Sequence, residues 1–521
     1  MFKIESYKKG IVLSSIFNVF NKGLVFINGM VVAYFFGATH GTDIFFFTYN
    51  SLIILAAFFM NTNSAVIIPE SMRIRVGSGN NEAMRFLNFF IYLYALILCV
   101  GLALILINPV SFFEVVSNFP KSSLSSYKGL LYLSLPLFGM ACLITLLIDI
   151  LTSYKFFTIS MVVGIINGII SILIVFCFHR IIGIRSAFCG LILSYMINLS
   201  LLVYILRKKL EWTFRFKKIS IPERIWKNLA FAQLGNFASS VSLFTPVYIL
   251  SGFNAGIITA LTFAQQISSL PNALITTQFS SVAGIKLNEL FSRARTVEID
   301  KIFTEIANLL HFIMIPISCL IFLYSDQIVG ILQDFTSIDK TVAGYTSVFM
   351  KYLGILLPFY VSNTLMSRLF MASHKIKEAF WYQLTFNIIQ IIFIYVAVKM
   401  FGIIGYPVTL IIIYFINTFM YYFVEKHYFN MIGYGRILLK FLLFVLVNAA
   451  VSAVVFLLIR VSAISEKWTI LITASFLQIL LLLMTNHILK LNEKVSEHIH
   501  NFTFQLKEKV FVKNQKFKNG I

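Results

Sequence analysis

Charge is scarce in this 521-residue sequence: Asp, Glu, Lys and Arg together make up 12% of it, and only 21 residues are acidic. A water-soluble chain of this length needs a far more polar surface, so a soluble globular protein is excluded. Histidine is also sparse, with eight scattered copies. The five cysteines, Cys99, Cys142, Cys177, Cys189 and Cys319, lie inside apolar segments. Their odd number and their spacing suit neither a metal site nor a disulfide framework, so apolar packing is expected of them. No phosphate-binding loop of the form GxxxxGKS/T is present, and Gly77-Ser78-Gly79 lacks both the lysine and a preceding strand. HExxH and GxSxG are missing too. No catalytic residue, metal or cofactor is therefore expected. Strand-type alternation is absent, which argues against an outer-membrane barrel.

What the chain has is apolar length. It is 59% hydrophobic, with a mean hydropathy of +0.87. Runs long enough to cross the hydrocarbon core as helices recur from end to end. Fourteen are read, near 11–35, 43–67, 86–108, 129–152, 156–178, 186–206, 228–250, 257–283, 302–324, 344–371, 380–398, 406–424, 441–459 and 469–489. The first is too long for a signal-peptide core and ends at no small-residue cleavage site. The expected fold class is an all-α polytopic membrane protein.

The net charge of +21 would suggest nucleic acid in a soluble protein, but its distribution argues otherwise. One alternating set of connections and tails holds thirty-one Lys and Arg, and the opposite set holds eight. This bias places both termini in the cytoplasm. Lys22, Lys351 and Arg368 fall within spans. The connector 207–227, RKKLEWTFRFKKISIPERIWK, reads as a basic cytoplasmic linker against anionic headgroups, and the tail 491–521 as a second basic anchor.

The sequence also repeats. A shift of 220 residues aligns Tyr132 with Tyr352, Ser153 with Ser373, Lys155 with Lys375 and Asn167 with Asn387, and a shift of 219 aligns Tyr195 with Tyr414 and Asn198 with Asn417. The break FFGATHGTD after the first span corresponds to SGFNAG after the seventh. Six spans separate the copies, so both share one orientation, as in parallel-repeat transporters. The expected organisation is an N-lobe (1–206), the linker (207–227), a C-lobe (228–424), two extra spans (425–490) and the tail (491–521).

Residues 31–70, VVAYFFGATHGTDIFFFTYNSLIILAAFFMNTNSAVIIPE, and residues 261–290, LTFAQQISSLPNALITTQFSSVAGIKLNEL, carry a family resemblance. Through Phe36, Gly37, Ala38, Thr42, Asp43, Phe45, Phe46, Leu270 and Pro271 they resemble the MurJ/MviN lipid II flippases. That family lies in the multidrug, oligosaccharidyl-lipid and polysaccharide exporter superfamily. The resemblance implies a lipid-linked glycan substrate, alternating access, the bacterial inner membrane and no enzymatic step. Lipid II and an O-antigen or capsule unit are the two substrate classes. Where the family carries arginines, this chain reads Lys22 and Asn28, Ala56 and Ala57, and Gln266. Glycan-assembly proteins and membrane lipids are the expected partners of a monomer.

An ammonium within a span must face a cavity or a partner, since exposing it to hydrocarbon costs about 2.5–3.5 kcal/mol. Lys22 and Asn18 are four residues apart, hence on one helical face, and Asn21 is adjacent. This group is read as a pyrophosphate site, or as a structural lysine with its partner. Asn28, Asn50, Gln265, Gln266 and Asn272 are read as sugar-binding amides or as interhelical hydrogen bonds; Asn61 and Asn63 invite the same two readings. Asp43 is expected to cap the start of its own span, with ion binding as the second reading. Asp43, Asp149 and Arg368 are also read as gate residues, the last two alternatively as side chains reaching the interface. Pro136, Pro246, Pro271, Pro316 and Pro358 interrupt spans and mark kinks. Gly164 and Gly168 form a GxxxG pattern that suits close helix packing. Two other classes compete. A cation-coupled multidrug exporter should show acidic residues deep in the first lobe, and a membrane glycosyltransferase or polymerase needs a larger external loop than any here.

Overall fold

The computed structural model describes residues 7–216, 221–293, 295–462, 464–492 and 496. The basic tail beyond 496 and the side chain of Asn18 lie outside them. Among the described residues there are helices and no strands, as lipid requires of a chain that must satisfy its own backbone. The first half holds α1 (Tyr7–Phe36), α2 (His40–Thr62), α3 (Ile68–Ser78), α4 (Asn80–Ile107), α5 (Pro109–Val116), α6 (Lys121–Ser126), α7 (Lys128–Ser153), α8 (Ile159–Ile182) and α9 (Arg185–Leu210). The remainder holds α10 (Glu223–Leu250), α11 (Ile257–Pro271), α12 (Thr277–Ser292), α13 (Thr296–Asp334), α14 (Lys340–Gly354), α15 (Leu357–Ala372), α16 (Ile376–Phe401), α17 (Gly405–Tyr428), α18 (Tyr434–Val461) and α19 (Lys467–Leu489). Single π-helical turns, Asn63–Ile67 and Asn272–Thr276, join α2 to α3 and α11 to α12.

The spans expected from hydropathy fall on helix but for short breaks such as 156–158 and 355–356, and the count of fourteen is not confirmed. Among the described residues ten helical runs are long and apolar enough to cross a bilayer, or eleven when the α14–α15 pair, bent by 47°, counts as one. The α10 and α11–α12 runs are diluted by Ser, Thr, Asn and Gln, and α16 and α17 merge into one 52-residue stretch. The prolines divide by position. Pro271 abuts a π turn and Pro358 opens α15 after the bend, whereas Pro136, Pro246 and Pro316 sit inside helices. The non-helical residue of α13 is Tyr324.

The repeat is written into the backbone. Gly37, Lys155 and Gly183 adopt positive φ, and so do Gly256, His374 and Gly402, each 219 residues further on. Gly183 and Gly402 both end their helices with ψ near −146°, a conformation that favours glycine. Helix pairing repeats as well: α1 packs on α8 as α10 does on α16, and α2 packs on α7 as α12 does on α15.

The chain divides into two compact units. In the first (Met1–Leu270, Val329–Leu353 and Lys375–Ile413), the aromatic run of α2 anchors the core. Phe45 meets Phe188 of α9, Phe46 meets Phe263 of α11, and Phe47 meets Phe113, Phe119 and Phe244, all edge-on. Lipid tails are as apolar as these rings, so close packing and ring geometry hold the helices together rather than escape from water. Gly164 and Gly168 give α1 its approach to α8: added Cβ atoms would lie 2.5 Å from the Asn21 amide and 2.7 Å from the Leu24 Cβ. Part of the basic linker is strapped to α4. Trp212 donates its indole N–H to Asn88 Oδ1 (2.8 Å), Asn88 Nδ2 donates to Thr213 O (2.7 Å), and the Tyr92 hydroxyl donates to Phe214 O (2.8 Å).

In the second unit (Pro271–Ile328, Gly354–His374 and Tyr414–Ile521), α18 and α19 pack together. Val451, Val455, Ile459 and Ala474 close around Tyr324 of α13, and Gln478 donates to Ser452 at 2.8 Å. Ile472, Phe476, Ile479 and Leu483 form an exposed apolar stripe on α19, the face expected to meet acyl chains.

Candidate functional site

The polar residues of α1 separate by face. Asn21 donates to Met161 O of α8 at 3.5 Å, and Gly164 sits against its amide. It is thus a helix-packing residue. Asn28 lies two turns further along that same face and is 7% exposed. Lys22 lies about 100° around the helix from Asn21, on the stripe that reaches Gly29 two turns later. A Cβ on Gly29 would lie 3.3 Å from Gln266 Oε1 and 3.5 Å from Phe263, both on α11. The lysine therefore shares the face of α1 that meets the second repeat, not the face buried on α8. It is exposed, and no described residue forms an ion pair or hydrogen bond with it.

Two buried acceptors are unspent, one at each of these α1 faces. Asn28 Oδ1 and Gln266 Oε1 lack hydrogen-bond partners, and a buried polar group left so costs about 1–3 kcal/mol. Gln265 is committed elsewhere, donating to the Tyr406 hydroxyl at 3.3 Å. Asn50 donates to Thr262 Oγ1 at 2.9 Å, tying α2 to α11. Both thus behave as interhelical hydrogen bonds. Asn272 falls in the second unit, where it opens a π turn with Oδ1 unpartnered.

Asp43 corrects the expectation from sequence. Its own helix is capped by Thr39, which accepts the Thr42 N–H while Thr42 Oγ1 accepts the Thr39 N–H (2.7 Å). The Asp43 carboxylate, 2% exposed, instead caps α11 across the repeat. It accepts the N–H of Gly256 (2.6 Å), the N–H of Thr259 (2.9 Å) and the Thr259 hydroxyl (2.7 Å). A helix N-terminus with free N–H groups suits a carboxylate. Spacing within residues 37–43 could not have revealed partners more than two hundred residues away, although Thr39 three residues before Thr42 carried the local capping signal.

The two remaining gate candidates have separate partners. Asp149 accepts from Asn63 Nδ2 (3.1 Å), and Asn63 Oδ1 accepts from the Tyr94 hydroxyl (3.0 Å). Arg368 of α15 crosses α12, where its guanidinium donates to Ser281 Oγ (3.3 Å) and its stem lies against Gly284. No group of three or more metal-ligating side chains occurs among the described residues.

Helical among its described residues, twice repeated and carrying many long apolar runs, the chain has the build of a multi-pass membrane transporter. Solved structures agree on the fold. The chain superimposes on a lipid II flippase MurJ in an inward closed conformation with a TM-score of 0.76, at 19% identity over 92% of this chain and 98% of that one. It also matches an inward-facing multidrug resistance MATE family transporter of the MOP superfamily, with a TM-score of 0.61, at 15% identity over 76% of this chain and 92% of that one. The profile of the lipid II flippase MurJ family matches residues 32–481. The chain belongs to that family. Two relatives, each described as a probable lipid II flippase MurJ, come from Borreliella burgdorferi (24% identity, 77% of this chain, 78% of the relative) and Buchnera aphidicola subsp. Acyrthosiphon pisum (22%, 71% and 74%).

Proposed function

We propose that this protein carries lipid II, an undecaprenyl-pyrophosphate-linked peptidoglycan precursor, across the bacterial inner membrane by alternating access. The observation that carries the reading is Lys22, an ammonium within a span, without a described partner, on the stripe of α1 that meets α11 at Gln266. A lysine holds a pyrophosphate as a point charge, without the planar fork of arginine. The unspent oxygen of Gln266, which faces the stripe, adds an acceptor for sugar hydroxyls. In this reading both termini lie in the cytoplasm, the polyprenyl tail stays in lipid, and the link from Asp43 to α11 closes one side of the path and must break for the other side to open. Arg368 and Asp149 are secondary gate candidates.

The test is transfer of fluorescent lipid II between leaflets of vesicles containing the purified full-length protein. Accelerated transfer by the wild type, lost in Lys22→Ala and kept in Lys22→Arg, is the expected result. Transfer equal to that of empty vesicles would sink the reading. Transfer of an O-antigen-type lipid but not lipid II would reassign the substrate.

A further inference from the structure

The polar cluster where α2 breaks is not used by the site around Lys22. Asn63 is fully buried and opens the π turn that interrupts the helix. Its amide stands between Asp149 of α7 and the Tyr94 hydroxyl of α4. One residue earlier, Thr62 accepts from Asn236 of α10 at 3.1 Å. Four helices, α2, α4 and α7 of the first repeat and α10 of the second, therefore meet through hydrogen bonds at this break. Among the described residues no cation pairs with Asp149. Charged groups on α3, which follows the π turn, are committed elsewhere: Arg75 donates to Ser153 and lies over the Tyr154 ring, and Glu70 is held by Arg73 and Arg224. The other titratable groups facing the cluster are Tyr94 itself and Cys142 of α7.

We propose that Asp149, Asn63 and Tyr94 form a proton-binding site that couples transport to a proton gradient. The chemistry gives the trio two hydrogen-bonded states. With Asp149 ionised, its carboxylate takes the Asn63 N–H while the Asn63 oxygen takes the tyrosine O–H, as observed. When one proton adds from water to give the carboxylic acid, its O–H donates to Asn63 Oδ1 once the amide turns over. The tyrosine oxygen then accepts from Asn63 Nδ2, because a hydroxyl both donates and accepts. Loss of the proton to water on the other side reverses the turn. The switch acts at the residue that begins the π turn, next to the Thr62 bond to α10, so each state biases the interrupted segment of α2. A bare cation fits less well, because the group presented to the carboxylate is an N–H donor and hard cations take oxygen ligands.

The coupling half of this inference rests on the transport reading, while the proton-binding half stands apart from it. The first test is therefore infrared difference spectroscopy of the full-length protein in nanodiscs across a pH titration. A protonated-carboxyl band that appears on acidification, is lost in Asp149→Asn and shifts its midpoint in Tyr94→Phe is expected. A titration unchanged by both variants overturns the site. The second test imposes a pH gradient on vesicles that flip the lipid substrate. Flux that follows the gradient in the wild type and in Asp149→Glu, but ignores it in Asp149→Asn, is expected. Flux that ignores the proton gradient in the wild type, or follows a sodium gradient instead, overturns the coupling, and absence of any wild-type flux indicts the transport reading rather than the site.

Discussion

The carboxylate of Asp43 in α2 accepts the backbone N–H of Gly256 at 2.6 Å, across 213 positions of sequence. It thereby supplies the start of α11 with the acceptor that its own sequence lacks. Asp43→Ala should lower the stability of the purified protein by about 1–3 kcal/mol for each of the two N–H groups left bare. Asp43→Asn should lower it less, since an amide oxygen still accepts. Thermal unfolding in detergent measures both, and equal melting of wild type and the alanine variant would refute the cap.

At Lys22 the expectation concerns transport, not stability. A hydrogen bond to a charged group is worth about 1.5–3 kcal/mol, which corresponds to roughly a ten- to hundredfold loss of flux in Lys22→Ala. Because the side chain is exposed, the melting temperature should stay near the wild-type value. A variant that melts early with normal flux per folded molecule would assign Lys22 a structural role.

The two glycines of α8 should not be equally sensitive. In Gly164→Ala the new methyl meets the end of the Asn21 side chain, which can swing aside; in Gly168→Ala it meets the Leu24 Cβ, which is fixed to the backbone. Overpacking of this kind costs about 1–3 kcal/mol, and Gly168→Ala should sit at the upper end. Asn21→Ala should rescue Gly164→Ala and leave Gly168→Ala unimproved. Thermal melts of the four variants decide the point.

The strap over α4 gives a local rather than a global expectation. Asn88→Ala removes the acceptor of the Trp212 indole and the donor to Thr213 in one step. The segment 211–216 should then open at lower free energy than the helices around it. Limited proteolysis should cut the variant in the linker several times faster than the wild type, with the spans left intact. Equal cutting rates would show that Tyr92 and the aromatic contacts of Trp212 suffice.

Sequence made the spans legible because apolar length is a local property, and it made the repeat legible because Lys, Asn and Tyr recur in order. The repeat proved sharper in backbone than in side chains: Gly183 and Gly402 share a conformation, while Asn167 bonds to Ser194 and Asn198 and Asn387 bonds to Ser239. The GxxxG pair was visible, but not that Asn21 would fill the gap it leaves. Asp43 was visible as a capping residue, but assigned to the wrong helix, because capping chemistry is short-ranged in space and here long-ranged in sequence. Asn63 and Asp149 were each noticed without the other, since nothing in the spacing of 86 residues links them.

The cap on α11 also has a bearing on biogenesis. Asp43 leaves the ribosome 213 residues ahead of Gly256, a lag of about 10–40 s at ordinary bacterial elongation speeds of roughly 5–20 residues per second. Throughout that interval the newly inserted second span carries an acid with no donor from its eventual partner, so headgroups or water must hold it. Docking of the late-made helix is what finally draws that carboxylate out of water.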